Sequence, residues 1–366
     1  MKTKTVTKTK KQSNPLDTIR PFLENPKNTE ILIDGHQKFQ VVTDGRLTDV
    51  PSPFKTEAQL VDLIQAIAAP LGRHADESHP ILDLRLQDSS RVHVVMPPIS
   101  LNGPVVTIRK ATIGSMTAKD LVEAGACSQE MIDLLHACVK ARLNILVAGT
   151  AGSGKTTVLT ILANMIGDDE RIILLQRQDE VLIKKPRLVK LETRPANIEG
   201  RGEINMRQLV ASAANLMPER IVTTEITGGE ALELLQVMNS GHNGCMQGMY
   251  ATSAFDALAR LEELVGYANP AMPTLSVRGL ISSAIDVIVY TERLRTGQRR
   301  IVKITEVIGL KDSVVTLRDI FEFRQLGMTN GQVEGDFPAT GNIPNFMHRM
   351  QDMGIDLPLS IFTPTK

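Results

Sequence analysis

Short apolar runs of β type alternate along this chain with longer stretches whose apolar residues recur at helical spacing. Residues 29–34 (TEILID) and 38–43 (KFQVVT), on either side of Gly35-His36, predict two strands, and Asp44-Gly45 is a turn signal. Leu60, Leu63, Ile64 and Ile67 predict a helix over 57–71. Runs at 81–86, 91–96 and 105–109 predict three more strands, the middle one ended by Pro97-Pro98. These elements make a small α/β domain over residues 14–110. Residues 111–117, with Gly114, read as a linker.

Two helical stretches, 117–123 and 128–141, then precede an apolar run at 145–148. Further apolar runs lie at 171–175, 188–192, 220–224, 246–250 and 287–290, with helical stretches between several of them. Alternation of strand and helix predicts a mostly parallel, covered sheet, and hence an α/β domain over 118–366. Residues 287–293 and 300–308 predict a hairpin across Thr296-Gly297. From residue 336 the chain reads as irregular, with a short helix near 345–353. No internal repeat is visible.

Composition narrows the class. A length of 366 residues suits two domains, and an apolar content of 42% is ample for their cores. Basic and acidic residues balance at 41 each, so no net charge draws the chain to nucleic acid or to a membrane surface. With aromatic residues at 3% and no Trp, base-stacking platforms are scarce, which counts against a DNA motor. No apolar run is long enough to span a bilayer. The opening MKTKTVTKTKK is basic but lacks the apolar core of a signal peptide, so residues 1–13 are expected to form a disordered tail. Cys127, Cys138 and Cys245 make no C-x-x-C or metal-ligand spacing, and a reduced, cytoplasmic protein is expected.

One stretch carries recognisable chemistry. The run at 145–148 leads into Gly149-Thr150-Ala151-Gly152-Ser153-Gly154-Lys155-Thr156-Thr157, and a helix is predicted over 157–165. This is G-x-x-x-x-G-K-[ST] with a strand before it and a helix after it, the context the motif needs. Glycine lets the backbone wrap closely around a polyphosphate, and the loop N–H groups with the helix start face the anion. Lys155 is expected to reach the β- and γ-phosphates, and the Thr156 hydroxyl to ligate Mg²⁺. The expected ligands are therefore ATP and Mg²⁺. The apolar strand at 220–224 ends in Glu225, where P-loop enzymes place a residue for Mg²⁺ or the attacking water. Gly228-Gly229-Glu230 then opens a helix, and Ser253-x-x-Asp256 resembles a capping box.

Together these segments resemble the secretion ATPase superfamily of type II secretion, type IV pili and type IV secretion, most of all its Tad/CpaF branch. DESHPILDLRLQDSSRVHVVMPP, GTAGSGKTT, KLETRPANIEGRGEI, GGEALELLQVMNSGHNG and AIDVIVYTERLRTGQRR carry the likeness, which covers nearly the whole chain after Asn14. It implies a PAS-like N-terminal domain, a RecA-like P-loop domain, a ring of six subunits, and nucleotide bound between the two domains. By position it assigns Glu225 as the Walker B glutamate that orients the attacking water, in indirect contact with Mg²⁺. Arg194 and Arg207 match arginines directed at nucleotide or the neighbouring subunit, Arg91 and Arg109 match arginines that clamp the phosphates, and His242 matches the first histidine of the His box. Arginine suits these roles because its planar fork binds phosphate bidentately and stays charged.

The chain also departs from that pattern. Gln176-Arg177 stands where the Asp box has a Glu-Asp pair, although Glu180 is kept. Thr227 replaces an arginine after the Walker B strand, Tyr250 replaces the second His-box histidine, and Met217-Pro218-Glu219-Arg220 replaces R-P-D-R. Removing carboxylates and an arginine from such a site weakens metal and phosphate handling. The expected function is a ring-forming motor ATPase that powers Tad-like pilus assembly or secretion, cytoplasmic and held at the inner membrane through a platform protein. The alternative is a regulatory or structural nucleotide-binding subunit with little hydrolysis of its own, mixed with an active relative in one ring. No nucleic-acid partner is expected.

Overall fold

The computed structural model describes residues 14–43, 46–86, 90–110, 116–177, 181–194, 196, 201–329 and 331–364. The tail at 1–13, the turn at 44–45 and linker residues 111–115 lie outside the described residues. Two compact units are present, one within residues 1–114 and one within 115–366.

In the first unit, α1 (Arg20–Glu24) precedes β1 (Asn28–Asp34), β2 (Lys38–Thr43) and β3 (Arg46–Val50). Then come α2 (Glu57–Ala68), β4 (Ile81–Arg85), β5 (Arg91–Val95) and β6 (Val105–Arg109). The sheet is antiparallel, in the order β3-β2-β1-β6-β5-β4. Alternate residues Ile31, Ile33, Val92, Val94, Val106 and Ile108 share one core with Leu60, Leu63 and Ile64 of α2. A period-two face thus meets a helical stripe, as a small PAS-like α/β domain requires. The sequence reading misses β3 because none of its residues is buried, which leaves no apolar alternation to see. The helix expected to run to 71 stops at Ala68 and tightens into a 3-10 turn over Ala69–Leu71, at Pro70.

The second unit begins with α3 (Ala118–Glu123) and α4 (Gln129–Lys140). Thr117 Oγ1 and Ser128 Oγ start them by accepting from the Asp120 and Met131 N–H groups. The order continues with β7 (Ile145–Gly149), α5 (Lys155–Asn164), β8 (Ile172–Gln176), β9 (Leu188–Glu192) and α6 (Met206–Ala214). Next are β10 (Arg220–Ile226), α7 (Glu230–Asn239), β11 (Met246–Tyr250), α8 (Ala254–Ala268) and α9 (Thr274–Ala284). The last strands of this sheet are β12 (Val287–Arg293), β13 (Arg299–Lys311) and β14 (Val314–Glu322). Strand order is β14-β13-β12-β7-β11-β10-β8-β9. Strands β12 through β9 in that order run parallel, and β13 and β14 are added antiparallel at one edge.

Strands β7 and β8 are buried along their whole length, as a sheet covered on both faces demands. On β7, Ile145 and Val147 join the core of α4 and α5, whereas Leu146 and Ala148 join that of α7, α8 and α9. The hairpin of β15 (Arg324–Thr329) and β16 (Gln332–Asp336) follows, then α10 (Met347–Asp352). Among the strand residues of that hairpin, all of them described, only Val333 is buried, so no apolar pattern announced it. Among the described residues no helix is long and apolar enough to cross a membrane.

Candidate functional site

The carboxyl ends of β7, β11, β10 and β8 carry the site, the usual place for a ligand on an open α/β sheet. Strand β7 ends at Gly149, where a Cβ would collide with the Thr291 carbonyl on neighbouring β12. Gly152 and Gly154 turn the loop with φ of 71° and 101°. Helix α5 then starts at Lys155, two residues before the predicted start, and no side chain caps it. Its first N–H groups are therefore left for an anion. Thr156 and Thr157 occupy its first turn, and Ala151 is exposed in the loop. Ser153 Oγ lies 2.8 Å from Thr291 Oγ1, and Arg299 Nε donates to the Gly152 carbonyl at 2.8 Å, so β12 and β13 brace the loop. Lys155 Nζ donates to the Thr150 carbonyl at 2.8 Å and stands 3.7 Å from the centre of the Tyr250 ring. Burial lowers the Lys155 pKa, and the charge of Glu225 opposes that shift. Beside α5, Leu121, Ala126, Gly154, Thr157 and Ile301 wall a cavity of about 280 Å³.

Glu225 reaches this loop through an irregularity. The pairing of β10 with β11 slips between Thr223 and Ile226, and the Thr224 carbonyl presses on Gly248, where a Cβ has no room. Thr224 and Glu225 are consequently both half-buried while Thr223 and Ile226 are buried. Such a bulge re-aims a side chain. Burial raises the Glu225 pKa, Arg177 and Lys155 pull it back, and Glu230 adds to the rise. Tyr250 ends β11 beside them, its phenol pKa raised by the Glu225 charge and then by burial. From the end of β8, Arg177 donates to Thr227 Oγ1 and, at 3.4 Å, to Glu230 Oε1. The same Glu230 oxygen accepts from the Thr227 and Gly228 N–H groups at 2.9 and 3.0 Å. Arg177 therefore belongs to the site, while Glu180 lies outside the described residues.

Other expected residues fall elsewhere. His242 sits in the turn after α7, before β11 begins, whereas Tyr250 ends that strand next to Lys155. A five-residue strand spans about 16 Å, so within the subunit His242 occupies the opposite edge of the sheet from Glu225. Its carbonyl accepts from Cys245 Sγ at 3.1 Å. Arg194 follows outer strand β9 and donates to the Gly202 carbonyl at 2.7 Å. Arg207, in the first turn of α6, holds Glu233 of α7 at 2.9 Å. Neither arginine contributes to the shifts of Lys155 or Glu225. Arg91 and Arg109 are register partners on β5 and β6 of the first unit, and Arg109 pairs with Glu30 at 2.9 Å. Ser253 caps α8 by accepting from the Asp256 N–H, but the Asp256 carboxylate turns to the Thr252 N–H, so the box is incomplete. Nothing local in the sequence marked Thr291 or Arg299, and Arg177 and Tyr250 were visible only as departures from a pattern.

Among the described residues no group of three or more His, Cys, Asp or Glu is arranged to hold a metal. The oxygen donors that would hold the ion at the loop are the Thr156 hydroxyl and, through water, the half-buried Glu225 carboxylate. That sparse set fits Mg²⁺, which keeps several waters and is held largely through substrate phosphates.

A mostly parallel sheet with this loop at its carboxyl edge, faced by a carboxylate from a nearby strand, defines a RecA-like P-loop ATPase. The chain belongs to the Type II/IV secretion system protein family, whose sequence profile matches residues 12–316, and it is an ATPase of that secretion class. It is similar to a protein of Mycobacterium tuberculosis named for conjugal transfer, 31% identical over 292 residues, 78% of this chain and 82% of that one. It is also similar to the type IV secretion system protein VirB11 of Bartonella henselae, 27% identical over 317 residues, 76% of this chain and 88% of that one. The solved structure of the Legionella pneumophila ATPase DotB shares the fold, with a TM-score of 0.55 at 16% identity over 82% of each chain.

Proposed function

We propose that this chain is a ring-forming motor ATPase that powers Tad-like pilus assembly or the secretion of pilus subunits. The observation that carries the reading is the meeting of Lys155 and Glu225 at the carboxyl edge of the sheet, each acting on the other's charge. In the proposed cycle Lys155 leaves the Thr150 carbonyl and the Tyr250 ring for the β- and γ-phosphates. The loop from Gly149 to Thr157 wraps them, and the apolar cavity beside α5 takes the base. Thr156 holds Mg²⁺, which when bound neutralises charge on the phosphate oxygens. Glu225 orients the attacking water. Domains over 14–110 and 118–366 move against each other through the linker at 111–117. Arg91 and Arg109 clamp the phosphates, Arg194 and Arg207 act toward nucleotide or the neighbouring subunit of a hexamer, His242 serves as the first histidine of the His box, and an inner-membrane platform protein receives the motion on its cytoplasmic side. No nucleic acid takes part.

One observation favours a second reading, a regulatory subunit in a mixed ring with little hydrolysis of its own. Arg177 stands at the site where a carboxylate is expected. Steady-state phosphate release from the purified oligomer with Mg-ATP, measured beside nucleotide affinity, separates the two. Turnover that disappears in Lys155→Ala and in Glu225→Gln supports the motor. Tight binding with wild-type turnover no higher than that of Glu225→Gln supports the regulatory subunit.

A further inference from the structure

We propose that Arg177, Thr227 and Glu230 form a clamp that positions Glu225, with Arg177 as a positioning residue that never touches the nucleotide. The inference rests on the reading of Glu225 as the residue that orients water.

Glu225 is followed by Ile226, Thr227, Gly228 and Gly229 before α7 begins at Glu230. Two consecutive glycines leave that connection loose unless something ties it. Glu230 is 4% exposed, and one of its oxygens is shared by the Thr227 N–H, the Gly228 N–H and the Arg177 guanidinium. A buried carboxylate needs a cation as well as N–H donors, and Arg177 is the cation in contact with it. The same guanidinium donates to the Thr227 hydroxyl. Thr227 is thus held three ways, by its side chain, by its N–H, and by the turn it enters. It lies two residues beyond Glu225, on the far side of the bulge that aims that carboxylate.

The anchor comes from a different strand. Strands β8 and β10 run parallel in register up to Leu175 and Thr223. Arg177 lies two residues past that point and Thr227 four, because the irregular stretch of β10 takes up extra chain. The clamp therefore ties the end of the bulge to a strand whose residues are buried throughout. A side chain held this way keeps its geometry when the nucleotide arrives, and that is what turnover requires.

The test compares kcat, KM for ATP and nucleotide affinity of the full-length oligomer across variants. Arg177→Met and Thr227→Val each open the clamp and are expected to lower kcat on the order of 10- to 100-fold, leaving KM and affinity unchanged. The double variant Arg177→Thr with Thr227→Arg supplies the guanidinium from the turn after β10 instead and is expected to restore turnover. Thermal melting reports the fold, and if Arg177→Met fails to fold, Thr227→Val, which loses one hydroxyl, decides. Wild-type kcat in the single variants overturns the clamp, as does a raised KM with unchanged kcat, which would mark Arg177 as a phosphate ligand. A folded double variant that stays slow overturns it too. Glu225→Gln runs beside them. Full turnover there, or none in the wild type, overturns the underlying reading and the clamp together. Loss there with normal turnover in Arg177→Met overturns the clamp alone.

Discussion

Arg177 and Arg220 sit at opposite ends of the same pair of strands and do opposite work. Arg220 opens β10 and is 1% exposed. It donates through Nε and Nη2 to the two oxygens of Glu170, at 2.7 and 3.0 Å, and through Nη2 to the Val139 carbonyl at 2.9 Å. Arg142 adds a second cation at 2.8 Å from Glu170. Nearby, Asn144 satisfies the Cys245 N–H and the Ala284 carbonyl, which closes that edge of the sheet. Arg177 is about half exposed and grips a turn rather than a second strand. A saturated polar network fixes one arrangement, and its value appears as stability. The Arg177 network holds the turn beside Glu225 instead, next to a lysine that lies on its own loop, and its value appears as chemistry.

The comparison breaks first at Arg220. Arg220→Ala leaves Glu170 largely buried without its bidentate partner and is expected to cost about 3 to 5 kcal/mol in urea unfolding. A cost near 1 kcal/mol would mean that the two ends do not differ as described. Gly248→Ala probes the other edge. Its Cβ would strike the Thr224 carbonyl, so a loss of about 1 to 3 kcal/mol is expected, together with a fall in kcat larger than any change in nucleotide affinity. Stability lost with kcat intact would detach the bulge from catalysis.

Proton linkage sharpens the contrast, because the two glutamates shift in opposite directions. Burial raises the Glu225 pKa, so its folded form holds its proton longer than the unfolded chain, and stability falls as pH rises through the folded value. For Glu170, burial pushes up, but the hydrogen bonds and charge of Arg220, with Arg142, bring the value below the ordinary one. Its contribution is present above the unfolded pKa and is lost as pH falls through the depressed folded value. Melting curves from acid to neutral pH are expected to show Glu225→Gln more stable than wild type near neutrality and Glu170→Gln less stable, both differences vanishing in acid. Equal signs would remove the distinction. The smallest effect concerns Tyr250. Replacing it with leucine frees Lys155 from the ring and is expected to tighten nucleotide binding by about two- to five-fold, with Tyr250→Phe like wild type in calorimetric titration. Weaker binding in the leucine variant would assign the ring to the nucleotide instead.

What a run of neighbouring residues carries in its own pattern was legible before any coordinates, whereas exposed β3 and the hairpin of β15 and β16 had no pattern to show. The loop from Gly149 to Thr156 is a run of consecutive residues, and glycine, lysine and threonine carry their roles in their covalent structure. The buried runs of β7 and β8 and the stripe of α2 also follow from local spacing. Tertiary structure alone decided which strand ends meet. Strands β11 and β10 insert between β7 and β8, and that insertion brings Tyr250 to Lys155 and Arg177 to Thr227 while leaving His242 at the far edge. The pairing of β12 with β7 sets Thr291 against Ser153 across 138 positions of sequence. Strand order and register are chosen by the packing of whole faces, and a side chain's partner across the sheet leaves no trace in the residues beside it.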